Sequence, residues 1–213
     1  MRLTVFGATG GAGVQVVRQA LDAGHAVTAV VRNSGGLPAE LRDRADVVTA
    51  DVMDPGAIEE AVKGRDAVIS AIGTREGRRP TTVCAASSAS IIAAMRAAGA
   101  ARFLMVSAAG VAVEPGDGPF TRYVAKPLII QPLLRHGFAD MRTAERHVRD
   151  SGLDWTIVRP PRLKDGPGKG EYRKAVDGAV PGRFSIDRAD LATALLDLAA
   201  DASSTGHMIS VTA

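Results

Sequence analysis

An apolar run enters a glycine-rich turn within the first thirteen residues of the chain, which reads LTVFGATGGAG over residues 3–13. The apolar part suits a buried parallel strand, and Gly7, Gly10 and Gly13 follow at intervals of three, where a helix must begin. Glycine permits the tight turn, the approach of the backbone to a phosphate, and close packing of helix on strand. The segment therefore predicts a dinucleotide pyrophosphate site, the alternative being an ordinary glycine-rich strand–helix turn.

Strand and helix patterns alternate along the rest of the chain. The predicted strands after the first cover residues 25–32, 46–51, 66–73, 102–107, 154–159 and 207–213, and the predicted helices cover 13–24, 55–63, 80–99, 138–152 and 187–201. Repeated β-α-β units require right-handed crossovers and a parallel sheet with helices on both faces. We therefore expect a single α/β domain over residues 1–213, a Rossmann-type doubly wound sheet in three α/β/α layers.

Two long segments, 108–137 and 162–186, interrupt this alternation. Each follows the carboxyl end of a predicted strand, where such sheets bind their ligands. Connections this long are uncommon unless they are functional. We expect them to form substrate-side loops, the alternative being ordered connectors that pack into the core.

Composition excludes several other classes of function. The net charge is +3 with acids and bases interspersed, so no nucleic-acid partner is expected. Cys84 is the only cysteine and the four histidines lack metal spacing, which predicts no disulfide and no metal. No apolar run approaches the roughly 18–20 residues of a membrane span. The first strand begins at Leu3, so we expect no signal peptide and a cytoplasmic protein.

Basic and acidic residues at the strand ends bear on the choice of dinucleotide. Arg32 ends the second strand, where an NAD site has an acid for the ribose hydroxyl and an NADP site has an arginine for the 2′-phosphate. This position predicts NADPH as the cofactor, unless Arg32 is only a surface residue. Asp51 and Val52 end the third strand and suit an adenine edge. Gly73, Thr74 and Arg75 follow the fourth strand, where they can pass the pyrophosphate and contact a phosphate.

The chemistry is expected at the end of the fifth strand. Ser107, followed by Ala108, lies where the nicotinamide half of a dinucleotide would lie. Tyr123 and Lys126 are spaced by three rather than four, and Pro127 disfavours helix at Lys126, so we do not expect a Tyr-Lys catalytic dyad. Ser107 is the leading candidate catalytic residue, either as a proton donor or as a residue that orients the nicotinamide or the acceptor.

Several short motifs occur in the same order as in one family. They are Gly7-Ala-Thr-Gly, Val-Arg32-Asn-Ser with Leu-Pro38, Gly73-Thr-Arg75, Pro80-Thr-Thr-Val83, Ser151-Gly-Leu153, Pro160-Pro161 and Gly-x-Tyr172. On these motifs the whole chain resembles the atypical short-chain dehydrogenases/reductases, in the NmrA-like branch that contains biliverdin-IXβ reductase, the NADPH-dependent flavin reductase.

The resemblance implies a monomeric Rossmann domain that reduces a planar acceptor (a flavin, tetrapyrrole or quinone-like molecule) with NADPH. Any flavin would be a substrate and not tightly bound, and the chain would be a monomer or weak homo-oligomer. The expected cofactor-binding residues are Gly7, Thr9, Gly10, Gly11, Ala12, Gly13, Arg32, Asp51, Val52, Gly73, Thr74, Arg75, Ser107, Ala108, Pro160 and Pro161.

The chain departs from the family at two positions. Gly36 stands where the family has a second arginine for the 2′-phosphate, which would soften the preference for NADPH. Arg162 stands where the reductase has a histidine, and we expect it to bind a carboxylate or phosphate of the substrate. Two alternatives stay open: an NmrA-like redox sensor without catalysis, and a sugar epimerase or dehydratase.

Overall fold

The computed structural model describes residues 1–74 and 79–213, and its elements alternate along the chain. The strands are β1 (Arg2–Phe6), β2 (Ala26–Val31), β3 (Asp46–Thr49), β4 (Ala67–Ser70), β5 (Arg102–Val106), β6 (Asp154–Arg159), β7 (Arg162–Lys164), β8 (Arg173–Val176), β9 (Ser185–Asp187) and β10 (His207–Thr212). The α-helices are α1 (Gly11–Asp22), α2 (Ala39–Arg42), α3 (Pro55–Val62), α4 (Val83–Ala98), α5 (Gln131–Leu133), α6 (Arg135–Arg149) and α7 (Arg188–Ala200). Short 3₁₀ turns cover Ser34–Gly36 and Ala202–Ser204.

The main sheet has eight strands in the order β3-β2-β1-β4-β5-β6-β10-β8. All neighbouring pairs are parallel except β8 against β10. The order of strands reverses between β1 and β4, so a crevice opens beyond their carboxyl ends. The Rossmann-type prediction is therefore confirmed.

Two apolar layers enclose this sheet. On one face α1 and α7 pack together and bury side chains such as Val17 and Leu195. On the other face α3, α4 and α6 bury side chains such as Ile58, Ile91 and Val148. In the described part of the chain, no helix combines the length and apolar character needed to cross a bilayer.

The segment 162–186 contains strands that the sequence did not predict. β7 and β9 form a small parallel pair, and β8 is an antiparallel edge strand on β10. β8 is short and carries Arg173 and Lys174, which are exposed. Charged residues are common on edge strands because they discourage pairing with other chains, but they hide the apolar pattern of a strand. The strands predicted from the sequence pair in parallel, and β8 adds an antiparallel edge that was not predicted.

The segment 108–137 is also more ordered than expected. Residues Thr121–Ile130 form wide π-helical turns that include Pro127, and α6 begins at Arg135. The prediction that Lys126 lies outside a helix was therefore wrong. Lys126 is buried, and its Nζ lies 2.7 Å from Asp117 Oδ2 and 2.9 Å from the carbonyl oxygen of Ala112. These tertiary contacts outweigh the local preference of the residue that precedes a proline.

Candidate functional site

The glycine loop joins β1 to α1 with geometry that only glycine accommodates. Gly7 has a φ of +73°, and a Cβ there would lie 2.8 Å from the backbone of Ala71 on the neighbouring chain segment. A Cβ on Gly13 would lie 2.1 Å from the carbonyl oxygen of Gly7. The first and third glycines therefore allow the turn and the close packing of α1 on its own loop, as the motif predicts.

The N-terminus of α1 is open to a ligand. Its N-cap is Gly10, which offers no side-chain acceptor, and the first turn contains no acid. The first N–H groups of a helix have no partner inside it, so Gly11, Ala12 and Gly13 present donors to an anion. The loop thus fits the diphosphate of a dinucleotide, because its glycines leave space that larger side chains would occupy.

A crevice of about 870 Å³ lies beyond the carboxyl ends of β1, β2, β3 and β4. Its walls include the predicted cofactor residues Gly7, Thr9, Gly10, Arg32, Asp51, Val52, Gly73 and Thr74. Residues from four strand ends and the loop therefore meet at one cavity. Arg75 lies outside the described residues.

Arg32 is an exposed cation at the end of β2, on the wall of this crevice. Within residues 1–74 and 79–213, no carboxylate lies within ion-pair distance of its guanidinium. Its hydrogen-bonding capacity is therefore available to a ligand. Gly36 lies beside the same loop, since a Cβ on it would be 3.1 Å from Thr9 Cγ2. A side chain at position 36 would thus begin beside the glycine loop.

Among the described contacts, one carboxylate oxygen of Asp51 accepts a hydrogen bond and the other accepts none. Its Oδ1 accepts a hydrogen bond from the backbone N–H of Met53 at 2.9 Å, which fixes the carboxylate at the turn after β3. The side chain is exposed to the crevice, and the neighbouring Val52 packs partly against the core. A fixed carboxylate beside an apolar surface suits the amino edge of an adenine ring.

Asp140 on α6 forms the N-terminal cap of α4, which borders the crevice at Val83. Its Oδ2 and Oδ1 accept hydrogen bonds from the N–H groups of Cys84 at 2.9 Å and Ala85 at 2.8 Å. Asp140 is buried. Burial, together with the Asp140 carboxylate, raises the pKa of the Cys84 thiol to about 12. The thiol therefore stays protonated at neutral pH and does not serve as a nucleophile.

The predicted nicotinamide-side residues lie together at the ends of β5 and β6. The N–H of Ser107 donates to the carbonyl oxygen of Val158 at 2.7 Å, and the N–H of Ala109 donates to that of Pro160 at 2.9 Å. Ser107, Ala108 and Pro160–Pro161 thus border one edge of the sheet. Ser107 is only 4% exposed, and its Oγ lies 2.7 Å from Glu145 Oε1 on α6.

Glu145 belongs to a set of five buried charged side chains, which we call the ionic cluster: Glu114, Asp117, Lys126, Glu145 and Arg159. Arg159 donates from Nε and Nη2 to the two carboxylate oxygens of Glu145, at 2.8 and 2.6 Å. Its Nη1 donates to Glu114 Oε1 at 2.8 Å. Burial alone would lower the pKa of Arg159, but the bonds to Glu145 and Glu114 raise it above its ordinary value.

Among the described contacts, neither of the two tyrosines pairs with a lysine. Tyr123 is 67% exposed, whereas Lys126 is buried in the ionic cluster. The hydroxyl of Tyr172 donates to Asp197 Oδ2 at 3.1 Å, and burial with this carboxylate raises its pKa to about 12. Tyr172 therefore does not offer the acidic hydroxyl that Tyr-Lys catalysis needs, and Tyr123 is separated from the buried Lys126 by its exposed position.

A smaller cavity of about 190 Å³ lies beside the segments that follow β5 and β6, with Ala109, Pro161 and Phe184 among its lining residues. The N–H of Arg162 donates to the carbonyl oxygen of Phe184 at 3.2 Å, so these two residues are neighbours. Phe184 is 70% exposed, and both Arg162 and Arg183 are exposed without a described carboxylate partner. An aromatic ring and two cations therefore lie next to the predicted nicotinamide edge.

Sequence reasoning missed three residues that shape the site. Asp140 and Glu145 are the buried acids of α6, and they share its buried face with Phe138, Ala144 and Val148. Acids on the apolar face of a predicted helix are a signal that could have identified them. The third is Arg188, whose side chain lies against Gly11, where a Cβ would be 2.7 Å from its Cδ.

Comparison with known proteins supports the dinucleotide site. A family model described as NAD(P)H-binding matches residues 7–202. The uncharacterized Bacillus subtilis protein YwnB is 29% identical over 202 residues, which cover 92% of this chain and 91% of YwnB. The uncharacterized chloroplastic protein At2g34460 of Arabidopsis thaliana is 32% identical over 178 residues, which cover 79% of this chain and 61% of that protein.

Solved structures show the same fold. A short-chain dehydrogenase/reductase from Veillonella parvula, solved in complex with NADP, superposes with a TM-score of 0.82 at 24% sequence identity. The match covers 100% of this chain and 94% of that one. Together with the family match, this likeness agrees with the resemblance to the atypical short-chain dehydrogenases/reductases. The chain belongs to the NAD(P)H-binding family and has the Rossmann fold of short-chain dehydrogenase/reductase-like proteins.

Proposed function

We propose that the protein is an NADPH-dependent reductase that transfers hydride to a planar acceptor such as a flavin, a linear tetrapyrrole or a quinone. The observation that carries the proposal is the position of Arg32 on the crevice wall without a carboxylate partner among the described residues. A guanidinium makes paired, charge-assisted hydrogen bonds to a phosphate, which NADPH has and NADH lacks at this ribose.

Each part of the crevice has a role in holding this cofactor. The N–H groups at the start of α1 bind the diphosphate, Arg32 binds the 2′-phosphate, and Asp51 accepts from the adenine amino group. Ser107 and the Pro160–Pro161 turn border the nicotinamide. When bound, NADPH supplies the hydride. The protein orients the two rings and excludes water. These effects supply much of the rate enhancement when two rings must meet at a fixed distance.

The acceptor side suits a flat molecule with an anionic group. Phe184 and Pro161 offer apolar surfaces on which a ring system can stack. Arg162 and Arg183 flank them with two exposed cations, which suit a carboxylate or phosphate on the acceptor. An open pocket of this kind fits a flavin used as a substrate and released, rather than one retained. We further propose that the chain acts in the cytoplasm as a monomer or weak homo-oligomer.

The test is oxidation of NADPH, followed at its own absorbance, with FMN, FAD, a quinone and a linear tetrapyrrole as acceptors. We expect turnover with at least one of them, faster with NADPH than with NADH. Replacement of both Arg162 and Arg183 by Ala should raise the KM for an anionic acceptor, whereas Arg173→Ala on the edge strand should not. Tight NADPH binding without oxidation by any acceptor would overturn the reductase proposal and favour a redox sensor.

A further inference from the structure

The hydroxyl of Ser107 has a fixed hydrogen-bonding direction. Its Oγ lies 2.7 Å from Glu145 Oε1, and both side chains are buried. A serine hydroxyl has one hydrogen to donate and two lone pairs to accept with. The direction of the bond to Glu145 therefore determines what Ser107 can offer to a ligand that lies beside it.

Glu145 can only accept in this bond. Arg159 contacts both of its carboxylate oxygens, at 2.8 Å through Nε and 2.6 Å through Nη2. Both oxygens therefore accept hydrogen bonds from the guanidinium, and an ionised carboxylate has no hydrogen to give. The single hydrogen of Ser107 is consequently directed at Glu145 and is not available to a ligand.

We propose that Ser107 accepts a hydrogen bond from the carboxamide NH₂ of the nicotinamide, and that Glu145 is the positioning residue that enforces this direction. The inference rests on the proposed function, because it requires the nicotinamide to lie beside Ser107. It also assigns Ser107 a different role from that of a proton donor. A proton needed by the acceptor comes from elsewhere. The hydroxyl hydrogen is already donated to Glu145, and this carboxylate has no hydrogen with which to reprotonate the serine.

A carboxamide has both an N–H donor and a carbonyl acceptor, so a serine free to rotate could bind either end. A serine that can only accept selects the NH₂ end. It thereby fixes the rotation of the carboxamide relative to the ends of β5 and β6. The site should therefore discriminate against a nucleotide that keeps the carbonyl but lacks the N–H.

The 3-acetylpyridine analogue of NADP⁺ is such a molecule, because a methyl group replaces the amide NH₂. Calorimetric titration of the whole protein with NADP⁺ and with this analogue gives a ratio of two dissociation constants. We expect the wild-type protein to prefer NADP⁺ by about 3- to 10-fold more than Ser107→Ala does, which corresponds to one neutral hydrogen bond. This readout is an equilibrium preference and does not depend on turnover.

Glu145→Met tests the positioning role. The ionic cluster has three carboxylates and two cations, so this variant keeps one carboxylate for each cation, Glu114 with Arg159 and Asp117 with Lys126. Ser107 is then free to rotate, and the preference should fall toward that of Ser107→Ala. Glu60→Met replaces an exposed carboxylate on α3 and should keep the wild-type ratio.

The outcomes separate the two proposals. Equal ratios in the wild-type protein and Ser107→Ala, with both nucleotides bound, would overturn the inference and leave the reductase proposal intact. A full wild-type preference in folded Glu145→Met would remove Glu145 from the positioning role. Failure of the wild-type protein to bind NADP⁺ at all would overturn both. If Glu145→Met does not fold, Glu145→Asp keeps an acceptor-only carboxylate and should retain a preference above that of Ser107→Ala.

Discussion

Asp140 caps α4 at Cys84, 56 residues away in the sequence. The cap is supplied by another helix, because the residue at the N-cap position, Thr82, makes no capping bond of its own. α4 borders the cofactor crevice at Val83, and α6 carries Glu145 toward Ser107. The buried carboxylate of Asp140 thus links α4, which borders the crevice, to α6, which carries Glu145.

Asp140→Ala should lower the free energy of unfolding by about 2 kcal/mol, because two buried N–H groups lose a charged acceptor. Urea unfolding followed by circular dichroism measures the change. Asp54→Ala is the matched control, since Asp54 caps α3 through the N–H groups of Gly56 and Ala57 at an exposed position. The control should lose less. An equal or larger loss in Asp54→Ala would contradict the view that burial makes the Asp140 cap stronger.

The Cys84 thiol should make stability fall at high pH. Its pKa is about 12 in the folded chain, against an ordinary value of 9.0. Burial is the largest cause of this rise, and the nearby Asp140 carboxylate is the second. Below pH 9 both states keep the proton, so the contribution is fully present. Above that pH the unfolded state releases the proton first, and the contribution is lost progressively up to the folded pKa.

Urea unfolding of the wild-type protein and Cys84→Ala between pH 8 and 10 tests this linkage. The wild-type protein should lose up to about 1.4 kcal/mol more per pH unit above the unfolded pKa. Parallel pH profiles for the two proteins would show that the thiol has the same pKa in both states. Slow reaction of the folded thiol with a disulfide reagent at pH 8 is the independent sign of the same shift.

Gly13→Ala and Gly137→Ala should have opposite effects, although both add one methyl group to a helix. At Gly13 the new Cβ would lie 2.1 Å from the carbonyl oxygen of Gly7, so the loop must move. We expect a loss of roughly 1–3 kcal/mol in stability and weaker nucleotide binding. At Gly137 it would lie 3.5 Å from Thr74 Cγ2, an ordinary contact, and helix propensity favours Ala by up to about 1 kcal/mol. Thermal unfolding of both variants measures the contrast, and destabilisation of equal size would contradict it.

Arg32→Ala should weaken NADPH binding by roughly 1.5–3 kcal/mol, the range for a hydrogen bond to a charged group. NADH binding should hardly change, because NADH has no 2′-phosphate for the guanidinium to hold. Calorimetric titration with both nucleotides gives the two values, with Arg42→Ala on the exposed side of α2 as the control. If both nucleotides lose the same affinity, Arg32 is not a 2′-phosphate ligand.

The parts of the site that the sequence predicts are those encoded within a few residues. The glycine loop is an apolar strand followed by spaced glycines, and its backbone geometry follows from residues 3–13 alone. The position of Arg32 follows from the length of one α-helix and one strand after that loop. Parallel strands bring such strand ends to one edge, so the crevice lined by Gly7, Arg32, Asp51 and Gly73 could be expected before the fold was known.

The ionic cluster could not be predicted in the same way. Arg159 contacts Glu145, which is 14 residues away, and Glu114, which is 45 residues away, and no local pattern links the three. Only the tertiary fold determines that these groups meet. Lys126 likewise meets Asp117 only in the folded chain, and no local pattern indicates the π-helical turns around it. The surroundings of Ser107 are therefore harder to predict from the sequence than the residues that line the crevice.

The ionic cluster also constrains how the sequence can change over time. Loss of Arg159 or Lys126 leaves a buried carboxylate without its partner, at a cost of roughly 3–5 kcal/mol, whereas a coordinated replacement can be neutral. Positions 114, 117, 126, 145 and 159 should therefore be inherited as a group, with substitutions that arise in compensating combinations. Related chains that replace Arg159 are expected to have lost the acid at 114 or 145 as well.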